Sequence, residues 1–146
     1  MSKDIVLALD VMGGDKGPPM VIRGANIARV RHPNLKFRFY GDKNLINKLL
    51  RRYKRLKPIS SVYHTDEHVE DDLKPSQALR QRKKSGMNLA ISAVRGGDAD
   101  GIVSAGNTGA LMAFAKLSLR TLPGINRPAM VSVFPTERGE CVMLDL

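Results

Sequence analysis

Two carboxylates and two adjacent glycines stand together in DVMGGD, with Asp10 first, Gly13 and Gly14 in the middle and Asp15 last. Gly13 and Gly14 let the backbone come close to a ligand, because no Cβ stands in the way. The stretch lies between an apolar run at residues 5–9 and residues 20–30, whose apolar side chains recur at helical spacing. A helix that starts beyond such a turn offers free N–H groups and its positive dipole end to a phosphate. Asp10 and Asp15 repel phosphate unless a cation intervenes. They can instead accept backbone N–H groups and hold the turn, or act in proton transfer. The spacing is not G-x-G-x-x-G, so the dinucleotide fingerprint is not met.

The same arrangement returns in GIVSAGNTGALMAFA, residues 101–115. Ser104, Asn107 and Thr108 supply polar side chains there, and Gly106 and Gly109 supply backbone freedom. Such a turn can cradle a phosphate or form an oxyanion hole. Asn107 and Thr108 can equally do no more than cap the helix that follows. Ser104 is not in a G-x-S-x-G elbow, and no motif ties it to His32, His64 or His68. A nucleophilic serine is therefore not expected.

Basic residues make two further groups. Residues 71–91 hold Lys74, Arg80, Arg82, Lys83 and Lys84. Lys74 or Arg80 can bind phosphate, or the patch can be a solvated face or meet an acidic partner. Ser76, after Pro75, can cap a short helix. In residues 42–57, Leu45, Ile46, Leu49, Leu50, Tyr53 and Leu56 form one helical stripe among seven Lys and Arg. That stripe suits a helix covering a sheet and also a helix lying on a membrane. Core packing, with the basic face free for a partner, is the expected use. His64 and His68 are four apart, but the acidic residues around them and Pro75 oppose a helix, and H-E-x-x-H is absent. No metal site is expected.

These turns need a scaffold. Strands are expected at residues 5–9, 37–40, 62–64 and 101–104, and helices at 20–30, 44–56 and 87–94, with a short one after Pro75 and another at 110–119. Residues 65–73 read as an acidic loop and 122–128 as a second loop. Residues 130–134 and 141–146 read as two more strands around the turn 136–140. Strands separated by helices imply βαβ units and an α/β fold with a mostly parallel sheet. The last two strands break that rhythm and point to a hairpin or a mixed edge. In such sheets ligands sit at the carboxyl ends of strands, where both glycine turns fall.

The 146 residues suit one domain, and 42% apolar with 26% charged residues is a globular composition. Trp is absent, so aliphatic residues and Met must build most of the core. The formal net charge of +10 points to an acidic partner: nucleic acid, an anionic membrane surface or an acidic protein. Cys141 is alone, which suits a reducing compartment, and its run CVMLDL predicts a buried strand residue. The start MSKDIVLALD lacks the features of a signal peptide, and no segment has the length of a transmembrane helix. A cytoplasmic location is expected. The last residues are an apolar run without a cap, which suggests a piece of a longer protein.

LALDVMGGDKGP, KPSQALR, DADGIVSAGNTGALMAFAKL, LPGINRPAM and the terminal VMLDL occur in the order found in PlsX-type phosphate acyltransferases. Over residues 4–146 the chain resembles the N-terminal half of that family, while residues 43–57 match in pattern only. The resemblance implies a Rossmann-like three-layer α/β/α fold similar to isocitrate and isopropylmalate dehydrogenases and phosphotransacetylases. It implies that residues 1–146 are the first part of a single acyltransferase domain more than twice this long. It implies acyl transfer from acyl carrier protein to inorganic phosphate, without a cofactor. The product would feed a membrane glycerol-3-phosphate acyltransferase in phospholipid synthesis. It also implies a homodimer with peripheral membrane contact. The turns at residues 10–15 and 104–109 would flank the cleft.

Such chemistry needs positioning and charge stabilisation, not a covalent acyl-enzyme. Asn107, Asp10 and Ser104 are the expected catalytic residues. Gly13, Gly14, Asp15, Gly106, Thr108, Gly109, Lys74, Ser76 and Arg80 are the expected phosphate-binding set. The net charge suits acidic acyl carrier protein and anionic lipid. Three rivals are a phosphotransacetylase using coenzyme A thioesters, a non-catalytic basic binding module, and a dehydrogenase. No nucleic-acid signature is present and aromatics are only 5%. Nucleic acid is therefore not an expected partner.

Overall fold

The structure is a computed structural model that describes residues 4–145. Four parallel strands form the main sheet in the order β3-β2-β1-β4. They are β1 (Ile5–Asp10), β2 (Leu35–Gly41), β3 (Ser60–His64) and β4 (Gly101–Val103). The helices are α1 (Gly17–Arg31), α2 (Lys43–Leu50), α3 (Pro75–Gln81), α4 (Gly86–Arg95) and α5 (Thr108–Leu119). This is the mostly parallel α/β sheet expected from the alternation of apolar runs, in the three layers that the resemblance implies.

Side-chain alternation along the strands sorts the layers. Leu9, Phe37 and Phe39 face Ile22 and Ala25 of α1 and Ile46 and Leu50 of α2. Ala8 and Tyr40 face the opposite side, against Ala90 and Ala93 of α4. Small side chains on both partners bring α4 close to β1. A third group, Ala78, Met87, Ile91, Ala110 and Phe114, joins α3, α4 and α5.

The strand order positions the site. The chain leaves β1 towards β2 and β3 on one side, then returns to place β4 on the other side of β1. The crevice between the carboxyl ends of β1 and β4 is thus the switch point at which ligands bind in open α/β sheets. Asp10 ends β1 there, and Ser104 follows β4.

Three expectations need correction. The helix expected at residues 44–56 stops at Leu50, and turns carry the chain on to Lys57. Tyr53 and Leu56 still reach the same core, because each turn preserves the three-residue step. Five cations within residues 51–57 would repel one another along a continued helix, and Pro58 follows them. Ser76 does not cap α3: Lys74 holds the cap position without a side-chain bond, and Ser76 is inside the first turn. The last two strands, β5 (Met130–Thr136) and β6 (Gly139–Asp145), form the hairpin, one of the two arrangements expected there, as an antiparallel sheet of their own and not as a mixed edge of the main one. Cys141 lies on β6 and is exposed, not buried, since among the described residues nothing covers the hairpin. Leu146, expected at the end of that strand, lies outside the described residues.

Phe39 is fully buried at the centre of β2. Phe39→Ala should lower stability by about 3–5 kcal/mol, measured by urea unfolding.

Candidate active site

Each glycine turn is shaped by a strand end and a helix start. β1 ends in the buried Asp10, and the chain then folds back so that α1 begins at Gly17. β4 ends at Val103, and α5 begins at Thr108 with Asn107 as its cap. The two turns touch. A Cβ on Gly13 would stand 2.7 Å from Asp10 Oδ2 and 3.0 Å from the Gly106 backbone nitrogen. Gly14 has φ +87°, and a Cβ there would lie 2.8 Å from the Ala105 carbonyl oxygen. Only glycine permits this approach and this backbone conformation.

Asp10 is the centre of the contact. The Ser104 hydroxyl donates to Asp10 Oδ2 at 2.8 Å, and the Gly106 N–H donates to Ser104 Oγ at 3.2 Å. The backbone N–H groups of Met12 and Gly13 also bond to the carboxyl group. Gly86, the first residue of α4, presses against it from a third side, where a Cβ would lie 2.9 Å from Oδ1. Burial raises the Asp10 pKa above its ordinary value of 3.8, against the opposing pull of Ser104, the two backbone donors and the charge of His68.

Asn107 ties the second turn to the acidic loop. Its Oδ1 accepts the Ala110 N–H at 2.9 Å, capping α5. Its Nδ2 donates to the carbonyls of Leu73 at 2.8 Å, Asp71 at 3.0 Å and Glu70 at 3.3 Å. Arg82 grips the same loop through both Glu70 carboxylate oxygens and holds the Glu70 pKa down at about 2. The Thr108 and Gly109 N–H groups have no acceptor among the described residues.

Asp10, Gly13, Gly14, Ser104, Gly106 and Asn107 therefore belong to one constellation. Asp15 is exposed and, with Gly13, Gly14, Lys16 and Ala105, lines an open cleft of about 220 Å³. Thr108 and Gly109 sit exposed at the α5 N-terminus, where a Cβ on Gly109 would meet the Pro75 ring at 2.9 Å. That contact brings the start of α3, with Lys74 and Ser76, beside the second turn. Arg80 is at the other end of α3. Lys74, Ser76 and Arg80 are exposed and make no ion pair among the described residues. A larger hollow of about 350 Å³ lies near Lys36, Ser60 and Asp98, at the amino ends of the strands and away from the crevice.

Sequence reasoning missed Gly86 and the Glu70–Arg82 pair. The Ser85-Gly86 step was a readable signal, because Ser85 caps α4 and its Oγ accepts the Asn88 N–H at 3.4 Å. Glu70 and Arg82 are twelve residues apart on irregular backbone, and no periodicity links them.

A family model described as "Fatty acid synthesis protein" matches residues 5–146. Curated proteins named phosphate acyltransferase are similar over the whole chain. Those of Rhodospirillum centenum, Parvibaculum lavamentivorans and Azorhizobium caulinodans are 58%, 54% and 53% identical. The chain spans 41% of the length of each of these relatives.

A raised carboxyl pKa favours the folded state when protonated. Its contribution is complete below the unfolded value and is lost as pH rises through the folded value. Thermal unfolding followed against pH should show stability falling over that window, and Asp10→Asn should flatten this dependence. Gly13→Ala should cost about 1–3 kcal/mol by forcing the two turns apart, read from the unfolding midpoint.

Proposed function

Because the chain belongs to the fatty acid synthesis protein family, that of the PlsX-type phosphate acyltransferases, we propose that it supplies the phosphate-binding side of a cleft that moves an acyl group from acyl carrier protein onto inorganic phosphate. The observation that carries this reading is the meeting of the two turns around Asp10 and Ser104 at the switch point. Its relatives' name supplies the reaction class, and the geometry suggests how residues divide the work.

The polar side chains of the turns are already engaged. The Ser104 hydroxyl is held by Asp10, and the Asn107 amide by one helix N–H and three carbonyls. They act as positioning residues, and the groups left for a ligand are backbone N–H donors. The Thr108 and Gly109 amides, at the positive end of α5, suit a phosphate dianion. Lys74, close to that helix start, offsets its charge. One phosphate oxygen then attacks the thioester carbonyl carbon. The C–O bond forms, the tetrahedral oxyanion collapses, the C–S bond breaks, and the departing thiolate takes up a proton. Acyl phosphate and free carrier protein result. Holding phosphate in line and shielding the oxyanion account for the catalysis. A serine occupied by a buried carboxylate suits direct transfer better than an acyl-serine intermediate.

The test uses the complete enzyme that contains this chain, assayed for acyl phosphate with carrier-protein and coenzyme A thioesters. The carrier-protein thioester should be the preferred donor. Asn107→Ala should lower kcat/KM for phosphate about 10- to 100-fold by loosening the turn. Unchanged turnover and phosphate KM in that variant would remove Asn107 from the mechanism, and preference for coenzyme A would make the protein a phosphotransacetylase.

A further inference from the structure

The two glycine turns meet, but the helices beyond them do not begin alike. After the second turn, the Thr108 and Gly109 N–H groups have no acceptor among the described residues. After the first, Pro18 and Pro19 have no N–H, and the Gly17 N–H already donates to the Gly14 carbonyl at 3.0 Å. The first three residues of α1 thus offer no free donor, and the exposed Asp15 stands just before them. The start of α5 suits an inorganic phosphate and the start of α1 does not.

The start of α1 has a groove instead. The cleft of about 220 Å³ that begins at Gly13 and Ala105 runs on over Met20 and Val21. A second hollow, of about 200 Å³, lies against Pro19 and Arg23 and shares Lys16 and Met20 with the first. Lys16, Met20 and Arg23 are four and three residues apart, so they line one side of the helix start. The groove therefore has an order. Its inner end is the seam where Gly13 meets Gly106, beside the Asp10–Ser104 pair. Its middle is apolar, with Asp15 on the rim. Its outer part carries Lys16 and Arg23, both exposed and neither in an ion pair among the described residues.

That order selects an occupant. A fatty acyl chain is apolar to its end and gains nothing from two cations. An inorganic phosphate would meet the Asp15 carboxylate and no amide. A phosphopantetheine arm has a thioester at one end, amides and a pair of methyl groups along its length, and a phosphate at the other end. An amide N–H of the arm can donate to Asp15, its methyl groups can lie on Met20 and Val21, and its phosphate can meet Lys16 and Arg23.

We propose, resting on the acyl transfer proposed above, that this groove seats the 4′-phosphopantetheine arm of the acyl donor, with Lys16 and Arg23 as the contacts of its phosphate. The thioester then lies at the seam of the two turns, next to the inorganic phosphate held at the start of α5. Carrier-protein and coenzyme A thioesters share this arm, so the groove recognises what they have in common.

The test uses the complete enzyme. Calorimetry compares its binding of 4′-phosphopantetheine and of pantetheine, and acyl phosphate formation is followed with the acyl thioesters of both and of carrier protein. Phosphopantetheine should bind about tenfold more tightly than pantetheine. Lys16→Ala with Arg23→Ala should abolish that difference and lower kcat/KM about tenfold for acyl-phosphopantetheine and for the carrier-protein thioester. Its turnover of acyl-pantetheine and its KM for inorganic phosphate should stay unchanged, which also shows that the variant is folded. Met20→Asp should weaken the binding of phosphopantetheine and pantetheine alike. Arg51→Ala with Arg52→Ala, on the turns after α2, should leave every one of these values as it is. Equal binding of phosphopantetheine and pantetheine, or binding of neither, overturns the proposal. So does a loss in the Lys16 and Arg23 variant confined to the carrier-protein thioester, because the cations then meet the carrier protein's surface and not the arm. If phosphopantetheine binds through Lys16 and Arg23 but no donor yields acyl phosphate, the groove stands and the reaction proposed above falls.

Discussion

Burying the Asp10 carboxyl group removes it from water, and its oxygens must then find partners within the protein. β1 is the middle of an all-parallel sheet, so its end is enclosed by neighbouring strand ends and helix starts. Ser104, the Met12 and Gly13 amides and the start of α4 provide that enclosure. Each can approach only if a side chain is missing. Gly13, Gly86 and Gly106 are glycine at the three surfaces that meet there. The crevice thus follows from satisfying one carboxyl group in a crowded place.

A second set of contacts fixes the loop beside it. Asn107 is both a helix cap and a clip for three carbonyls, and the Arg82–Glu70 pair holds the same loop from its other side. Rigid surroundings matter where a site works through backbone N–H groups, because their direction cannot be adjusted by rotating a side chain. The residues most changed in meaning by the structure are therefore Asn107 and Ser104. Their polar atoms are engaged within the protein, Ser104 by Asp10 and Asn107 by a helix N–H and three loop carbonyls.

The main sheet was legible because β1 and β2 are short, apolar and bounded by turn residues, while α1, α4 and α5 carry apolar side chains at helical spacing. The glycine turns were legible for the same reason, since each stands between a strand signal and a helix signal. The early end of α2 was not. Its apolar spacing continues through Tyr53 and Leu56 although the helix does not, and spacing alone cannot distinguish a helix from successive turns that bury the same side chains. Cys141 was misplaced because an apolar run in a hairpin reads like a buried strand, whereas burial depends on what lies opposite. The partners of Asn107 lie more than thirty residues away on irregular backbone, where no local pattern points to them.

The pairing of β1 with β4 also bears on the order of assembly. Asp10 and Ser104 are separated by 94 residues, whereas β1 finds β2 within the first 41. During synthesis the β1–β2–β3 half can close on α1 and α2 while Asp10 still faces water. The carboxyl group gains its Ser104 partner only after β4 has emerged and closed the longest loop of the sheet. Loop closure over that distance is entropically costly, and non-local strand pairing is slow. The crevice is therefore a late product of folding, and until it forms β1 has an open edge facing the place that β4 will fill.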